Sequence, residues 1–149
     1  YIPLGGSEDK NLSLNYEETR KYLEIMATER KKLIKKKNNH TSISMYRALQ
    51  FQMTNDFAYG CTAGDTLLTV MENGDLVPCR RMPIVVGNLF ENDMSSLYFN
   101  SPILKNLRKN TIPDECKDCE TSETCHGGLK CLTYALYKNL NHKDVGCNV

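Results

Sequence analysis

Tyr22, Leu23, Met26, Ala27, Leu33 and Ile34 recur at helical spacing, which predicts an amphipathic helix over 15–37. Asn15 with Glu18 three positions on marks its start, because each side chain can accept from the other's backbone N–H. Asn38 and Asn39 end it. Before it, Ile2-Pro3-Leu4 and Gly5-Gly6 read as a strand end and loop. After it, Thr41 to Gln52 reads as a strand with a short helix. Thr66 to Met71 is rich in β-favouring residues and is followed by Glu72-Asn73-Gly74-Asp75. Asn-Gly predicts a type I′ turn, whose two central residues both need positive φ. The return strand is then Asp75–Cys79. Pro78 has no N–H to donate, so this strand lies at an edge or stops there. The hairpin is expected to bring Cys61 and Cys79 together. Gly87-Asn88-Leu89 reads as a turn, Asp93 or a neighbour starts a helix, and Ser101-Pro102 supplies the cap and first residue of another, with Ile103, Leu104 and Leu107 inward. A last helix is expected over 132–140, with Leu132, Ala135 and Leu136 on one face. The fold class is α+β: a hairpin, a few helices and long loops.

One stretch resists this reading. Residues 111–126 carry almost no apolar pattern, yet hold Cys116, Cys119 and Cys125 among Asp114, Glu115, Lys117, Asp118, Glu120 and Glu123. Burial of apolar surface cannot order it. A bound metal can, and without one the segment 111–131 is expected to be largely disordered.

Composition narrows the function classes. Nineteen Lys and Arg against eighteen Asp and Glu leave a net charge of +1, so bulk positive potential for gripping nucleic acid is absent. The stretch from Arg20 to Lys37 has eight basic and two acidic residues; a solvated helix face with a cationic C-terminal end explains it, and a docking surface for an acidic partner is the alternative. No apolar run approaches the ~18 residues of a membrane span, and no signal-peptide pattern opens the chain, so a cytoplasmic protein without membrane contact is expected. Tyr1 stands first, which is compatible with a piece of a longer protein. Seven cysteines are an odd number that cannot all pair within one chain, so their spacing is tested for metal first.

Two residues separate Cys116 from Cys119, five more precede Cys125, five precede Cys131, and fifteen precede Cys147. A two-residue gap lets both thiolates reach one centre from a single turn. Iron–sulfur clusters take about four thiolates, several of them close in sequence. Zinc would accept the same sulfurs tetrahedrally. Seven thiols exceed one four-sulfur site by three, which favours a second site short of one protein ligand.

Cys61, Gly74, Cys79, Cys116-x2-Cys119-x5-Cys125, Cys131 and Cys147 together resemble the seven-cysteine signature of the SPASM domain, the C-terminal extension of many radical S-adenosylmethionine (SAM) enzymes. Asn73-Gly74-Asp75 before Val77-Pro78-Cys79, Gly87-Asn88-Leu89 before the helix with Leu97, and Cys125-His-Gly-Gly support it. The resemblance covers about 57–147. Residues 1–40, with Ile2-Pro3-Leu4-Gly5, resemble the closing part of the partial TIM-type barrel that precedes such a domain, which makes 41–149 the SPASM domain itself. The resemblance implies two auxiliary [4Fe–4S] clusters. Cys61, Cys79 and Cys131 would hold the first, and Cys116, Cys119, Cys125 and Cys147 the second.

The sequence departs from the family in three places. Five residues lie between Cys125 and Cys131 where the family usually has three, Leu129-Lys130 being the extra pair. Fully ligated members carry a further cysteine before the first; Asn55 stands there, so the first cluster has an open iron or takes Asp56, a water or a substrate group. Arg80, followed by Arg81, stands where the sulfatase-maturing branch has an acidic base, so that branch is set aside; Arg80 binds a carboxylate, raises the cluster's potential or is a surface residue. His126 adjoins Cys125, but the cysteine set suffices without it. His40 and His142 are expected at the surface, and Tyr59 and Tyr98 in packing.

No CxxxCxxC occurs in the sequence, and that loop holds the SAM-cleaving cluster. The resemblance therefore implies the rear portion of an enzyme whose SAM, third cluster and radical chemistry lie in a preceding portion. The implied work is electron transfer and substrate seating in the modification of a peptide or protein, with ferredoxin or flavodoxin as electron donor. The rival readings are a stand-alone ferredoxin-like carrier and a zinc-stabilised interaction module.

Overall fold

The computed structural model describes residues 12–38, 40–43, 49–54 and 60–148. Ile2 to Gly5, Asn55, Asp56 and Tyr59 lie outside them. Helix α1 spans Tyr16–Lys35. Its start is the reciprocal cap that Asn15 and Glu18 encode: Glu18 N–H donates to Asn15 Oδ1 and Asn15 N–H to Glu18 Oε2, both at 3.0 Å. Glu17 and Glu18 in the first turn and Lys32 and Lys35 in the last complement the helix dipole. The buried face is narrow, Leu23 and Ala27. It packs with Leu49 and Cys125, flanked by Met26, Phe51, Met53 and Cys147, to make one apolar cluster. A short helix α2, Phe51–Thr54, lies against α1.

The sheet has three short antiparallel strands in the order β1 (Thr69–Val70), β2 (Asp75–Val77), β3 (Gly87–Asn88). Thr69 pairs Val77 and Val70 pairs Leu76. The expected type I′ turn does not form. Only Gly74 has positive φ, at 85°; Gly74 N–H closes on Met71 O at 2.9 Å and Met71 N–H on Asp75 O at 2.8 Å. The loop is three residues, 72–74, and the glycine serves as the left-handed third residue of a type I turn with a bulge. A Cβ there would also sit 2.6 Å from the Phe90 ring. The strand Asp75–Cys79 stops at Val77, one residue before Pro78.

Gly87-Asn88, expected as a turn, instead forms the third strand, pairing Asp75 with Asn88 and Leu76 with Gly87. The cause is the Asn88 side chain, which donates to Asn73 O (2.9 Å) and Asp75 Oδ1 (3.0 Å) and so locks the hairpin loop. A polar residue that reads as loop chemistry is here a pin across the sheet.

Helices α3 (Met94–Asn100) and α4 (Pro102–Arg108) start where expected, capped by Asp93 and Ser101. Arg108 donates to Tyr98 O (2.7 Å) and Gly64 O (3.1 Å) and lies 4.4 Å from the Tyr98 ring, tying both helices to the turn after Cys61. A 3₁₀ turn at Asp114–Cys116 and helix α5, Ser122–Cys125, order much of the segment that lacks apolar pattern. Helix α6 is Lys130–Tyr137, shifted towards the N-terminus from the expected 132–140. It ends because Lys138 turns left-handed at φ 54° while donating to Tyr134 O.

A second apolar cluster joins Ala63, Met82, Leu104, Leu107 and Cys131, flanked by Cys61, Cys79, Ile103 and Tyr98. Leu104 is fully buried there. Leu104→Ala is expected to cost ~2–5 kcal/mol, read as a lower denaturation midpoint at unchanged slope.

Candidate metal centre

Each apolar cluster holds its own set of cysteines, and each set faces a hollow. Cys116, Cys119, Cys125 and Cys147 line the first hollow, a cavity of about 30 Å³ that Gln52 and Asp144 also border. Cys61, Cys79 and Cys131 line the other, of about 320 Å³. All seven thiols are free of disulfides. Among the described residues no three His, Cys, Asp or Glu side chains gather tightly enough to hold a single ion.

The four-thiol hollow is built from tight turns. Cys116 N–H closes on Pro113 O, Cys119 N–H on Cys116 O, Ser122 N–H on Cys119 O and Cys125 N–H on Thr121 O, all at 2.9–3.1 Å. Polar residues suit this path, because such turns satisfy their backbone locally. Cys119 Sγ lies 3.3 Å from Thr121 Oγ1. Cys147 arrives from the far end of the sequence and accepts from Gln52 Nε2 at 3.6 Å.

The three-thiol hollow draws on the turn before β1, the exit of β2 and the first turn of α6. Pro78 is fully buried, and Met82 N–H closes on Cys79 O at 2.8 Å, so a tight turn follows Cys79. Arg81 N–H points at Cys79 Sγ, 3.5 Å away.

The chain changes hollows between Cys125 and Cys131. His126, Gly127 and Gly128 are all left-handed, with φ of 50°, 79° and 83°, which reverses the path. Asp144 holds the reversal in place. Its Oδ2 accepts from Leu129 N–H (3.2 Å), its Oδ1 from Gly146 N–H (2.9 Å), its N–H donates to Gly127 O (2.9 Å), and its carbonyl accepts from Cys147 N–H (3.0 Å). A Cβ at residue 128 would lie 2.6 Å from Asp144 Cβ, so glycine is required by space as well as by φ.

Burial raises the pKa of Cys116, Cys125 and Cys131. Desolvation pushes Cys125 and Cys131 from 9.0 up to about 11. In Cys116 the same cause is joined by repulsion from Cys147 and Cys119. Lys130, only 7 % exposed, is lowered by burial, while Cys61, Cys116 and Cys125 favour its charge. A cationic side chain therefore stands within the field of both thiol sets.

Cys116, Cys119, Cys125 and Cys147 thus border one hollow and Cys61, Cys79 and Cys131 the other, while Asp56 lies outside the described residues. His126 borders neither hollow. His40 is exposed. His142 is half-buried, stacked on Tyr137 at 4.0 Å with Glu115 3.5 Å from its Nε2. Sequence reasoning missed Asp144, Lys130 and Gln52. Asp144-Val145-Gly146 did carry a signal, since an Asp accepting from the N–H two residues on is an Asx turn; Lys130 and Gln52 carried none.

In the comparison with known families, residues 61–120 match the SPASM family, an iron–sulfur cluster-binding domain. The match includes Cys61, Cys79, Cys116 and Cys119. No helix among the described residues is long and apolar enough to cross a membrane.

Two outcomes are expected. A folded-state thiol pKa above the unfolded value favours the fold at low pH, with that contribution lost as pH rises through the folded pKa. Metal-free protein should therefore lose melting temperature between pH 9 and about 11, whereas metal uptake, which takes the thiolate, should strengthen as pH rises. Asp144→Ala leaves two backbone donors unpaired and should cost ~1–3 kcal/mol, read by thermal melting, and should speed metal loss from the Cys147 hollow to a chelator.

Proposed function

We propose that this chain, whose residues 61–120 form a SPASM iron–sulfur cluster-binding domain, is the auxiliary-cluster portion of a radical SAM enzyme that modifies a peptide or protein. Cys116, Cys119, Cys125 and Cys147 would hold one [4Fe–4S] cluster, and Cys61, Cys79 and Cys131 a second. One observation supports this reading: the seven thiols border two separate hollows, four around one and three around the other. The donor chemistry suits iron and sulfide, since four cysteine sulfurs border the smaller hollow. A lone zinc needs its sulfurs about 2.3 Å from one point, a closer gathering than these rings make.

When bound, such clusters supply one-electron transfer. The chain's own residues set the terms of that transfer. Gln52 and the Arg81 backbone direct N–H groups at Cys147 and Cys79 sulfurs, and donors of this kind stabilise the electron-rich reduced state. Lys130, whose burial lowers its pKa, interacts electrostatically with Cys61 of one set and Cys116 and Cys125 of the other. The apolar clusters restrict water around Cys125 and Cys131.

Cleavage of SAM, with its CxxxCxxC loop, would belong to a portion outside these 149 residues, and 1–40 would be the end of its barrel. A ferredoxin or flavodoxin would supply electrons, in a cytoplasm where thiols stay reduced.

Anaerobically loaded protein is expected to carry about eight iron and eight sulfide per chain. The Cys116→Ser/Cys125→Ser variant should keep about four of each, and Cys61→Ser/Cys131→Ser likewise. Zinc without sulfide, or the loss of all iron from either pair of substitutions, would overturn the two-cluster reading.

A further inference from the structure

The two hollows differ in size far more than their thiols account for. The four-thiol hollow measures about 30 Å³ and the three-thiol hollow about 320 Å³. With a cluster of the same kind beside each set, the reading on which this inference rests, the three-thiol side has the more room for a further group.

The surroundings of that open space are selective. Arg80 and Arg81 occupy the centre of the tight turn that Met82 N–H closes on Cys79 O, and both border the cavity, as do Thr62 and Thr69. Buried Pro78 and Met82 fix the turn on both sides. Among the described residues neither guanidinium has a hydrogen-bonding or ion-pair partner, and no Asp or Glu borders the cavity. Arg108 shows the contrast: its guanidinium is taken up by two backbone carbonyls and a tyrosine ring. Two neighbouring arginines whose guanidiniums have no hydrogen-bonding or ion-pair partner among the described residues, at the rim of a cavity that no described acid borders and with Arg81 in the field of Cys131, suit a planar anion, because the guanidinium fork matches a carboxylate with two parallel N–H···O bonds.

We propose that the Arg80–Arg81 turn and the open space beside Cys61, Cys79 and Cys131 form a carboxylate-binding subsite that holds an acidic group of the peptide substrate next to the first cluster. The carboxylate is either a chain terminus or an acidic side chain. The subsite seats the substrate against a redox centre through charge and geometry, and it does no chemistry of its own.

The test uses the full chain, loaded anaerobically and titrated by calorimetry, with electron paramagnetic resonance of the reduced clusters recorded in parallel. The probes are N-acetylglycylglycine, for a terminal carboxylate, N-acetylaspartic acid amide, for a side chain, and N-acetylglycylglycine amide as the uncharged control. One of the two carboxylates should bind and alter the resonance of one cluster, while the uncharged amide does neither. Arg80→Gln/Arg81→Gln should weaken binding by about tenfold or more, the equivalent of a charge-assisted hydrogen bond, with iron and sulfide unchanged. Arg80→Lys/Arg81→Lys should recover part of it, since the charge returns without the fork.

Equal binding of carboxylate and amide, no binding of either carboxylate to loaded protein, or full binding in the glutamine variant overturns the proposal. So does a glutamine variant that changes only the cluster potentials. Protein that takes up no iron and sulfide overturns the cluster reading instead, and the same titration on that protein still decides the subsite.

Discussion

Several thiols can share a hollow only while they hold their protons or face something cationic. The structure is organised around that electrostatic constraint. Buried beside other thiols of their own hollows, Cys116, Cys125 and Cys131 resist ionisation, by desolvation first, with repulsion from those neighbouring thiols adding to it. A coordinated metal reverses the sign, because a ligated thiol gives up its proton outright. Burial thus makes either hollow a poor place for a lone thiolate, and only a cationic centre offsets that penalty.

The second organising element is the separation of two apolar clusters, each with its own cysteines. Helix α1 and Leu49 complete the cluster around Cys125 and Cys147; Met82, Leu104 and Leu107 complete the one around Cys61, Cys79 and Cys131. Neither is large. Asp144 joins them, because one carboxylate and its own backbone fasten both the crossing at Gly127–Leu129 and the arrival of Cys147. Its cost is a nearly buried charge, partly offset by the two N–H groups it accepts.

Much of this was legible in the sequence where the signal was local. The Asn15–Glu18 cap, the Asp93 and Ser101 starts and the inward Leu104 and Leu107 each depend on residues a few positions apart, and periodicity or capping chemistry reports them. The grouping of the cysteines was legible only through the whole spaced pattern and the family it resembles, since spacing alone left zinc and iron–sulfur both open. What was not legible depended on partners distant in sequence. Asn88 acts as a strand residue because Asn73 and Asp75 lie across from it, fifteen and thirteen positions away. Gly74 needs a positive φ but Asn73 does not, because the loop has three residues and not two. Gln52 meets Cys147 across ninety-five positions, and nothing near either residue announces it.

The short passage from Cys125 to Cys131 has a further consequence. At about 3.3–3.6 Å per residue even a fully stretched chain of that length spans only ~20 Å, and three left-handed residues fold it well short of that. The gap between the two hollows is thus capped by covalent bonds. Thermal breathing or a repacked interior can reshape the lining of either hollow, but neither can carry Cys125 and Cys131 apart past the reach of that tether.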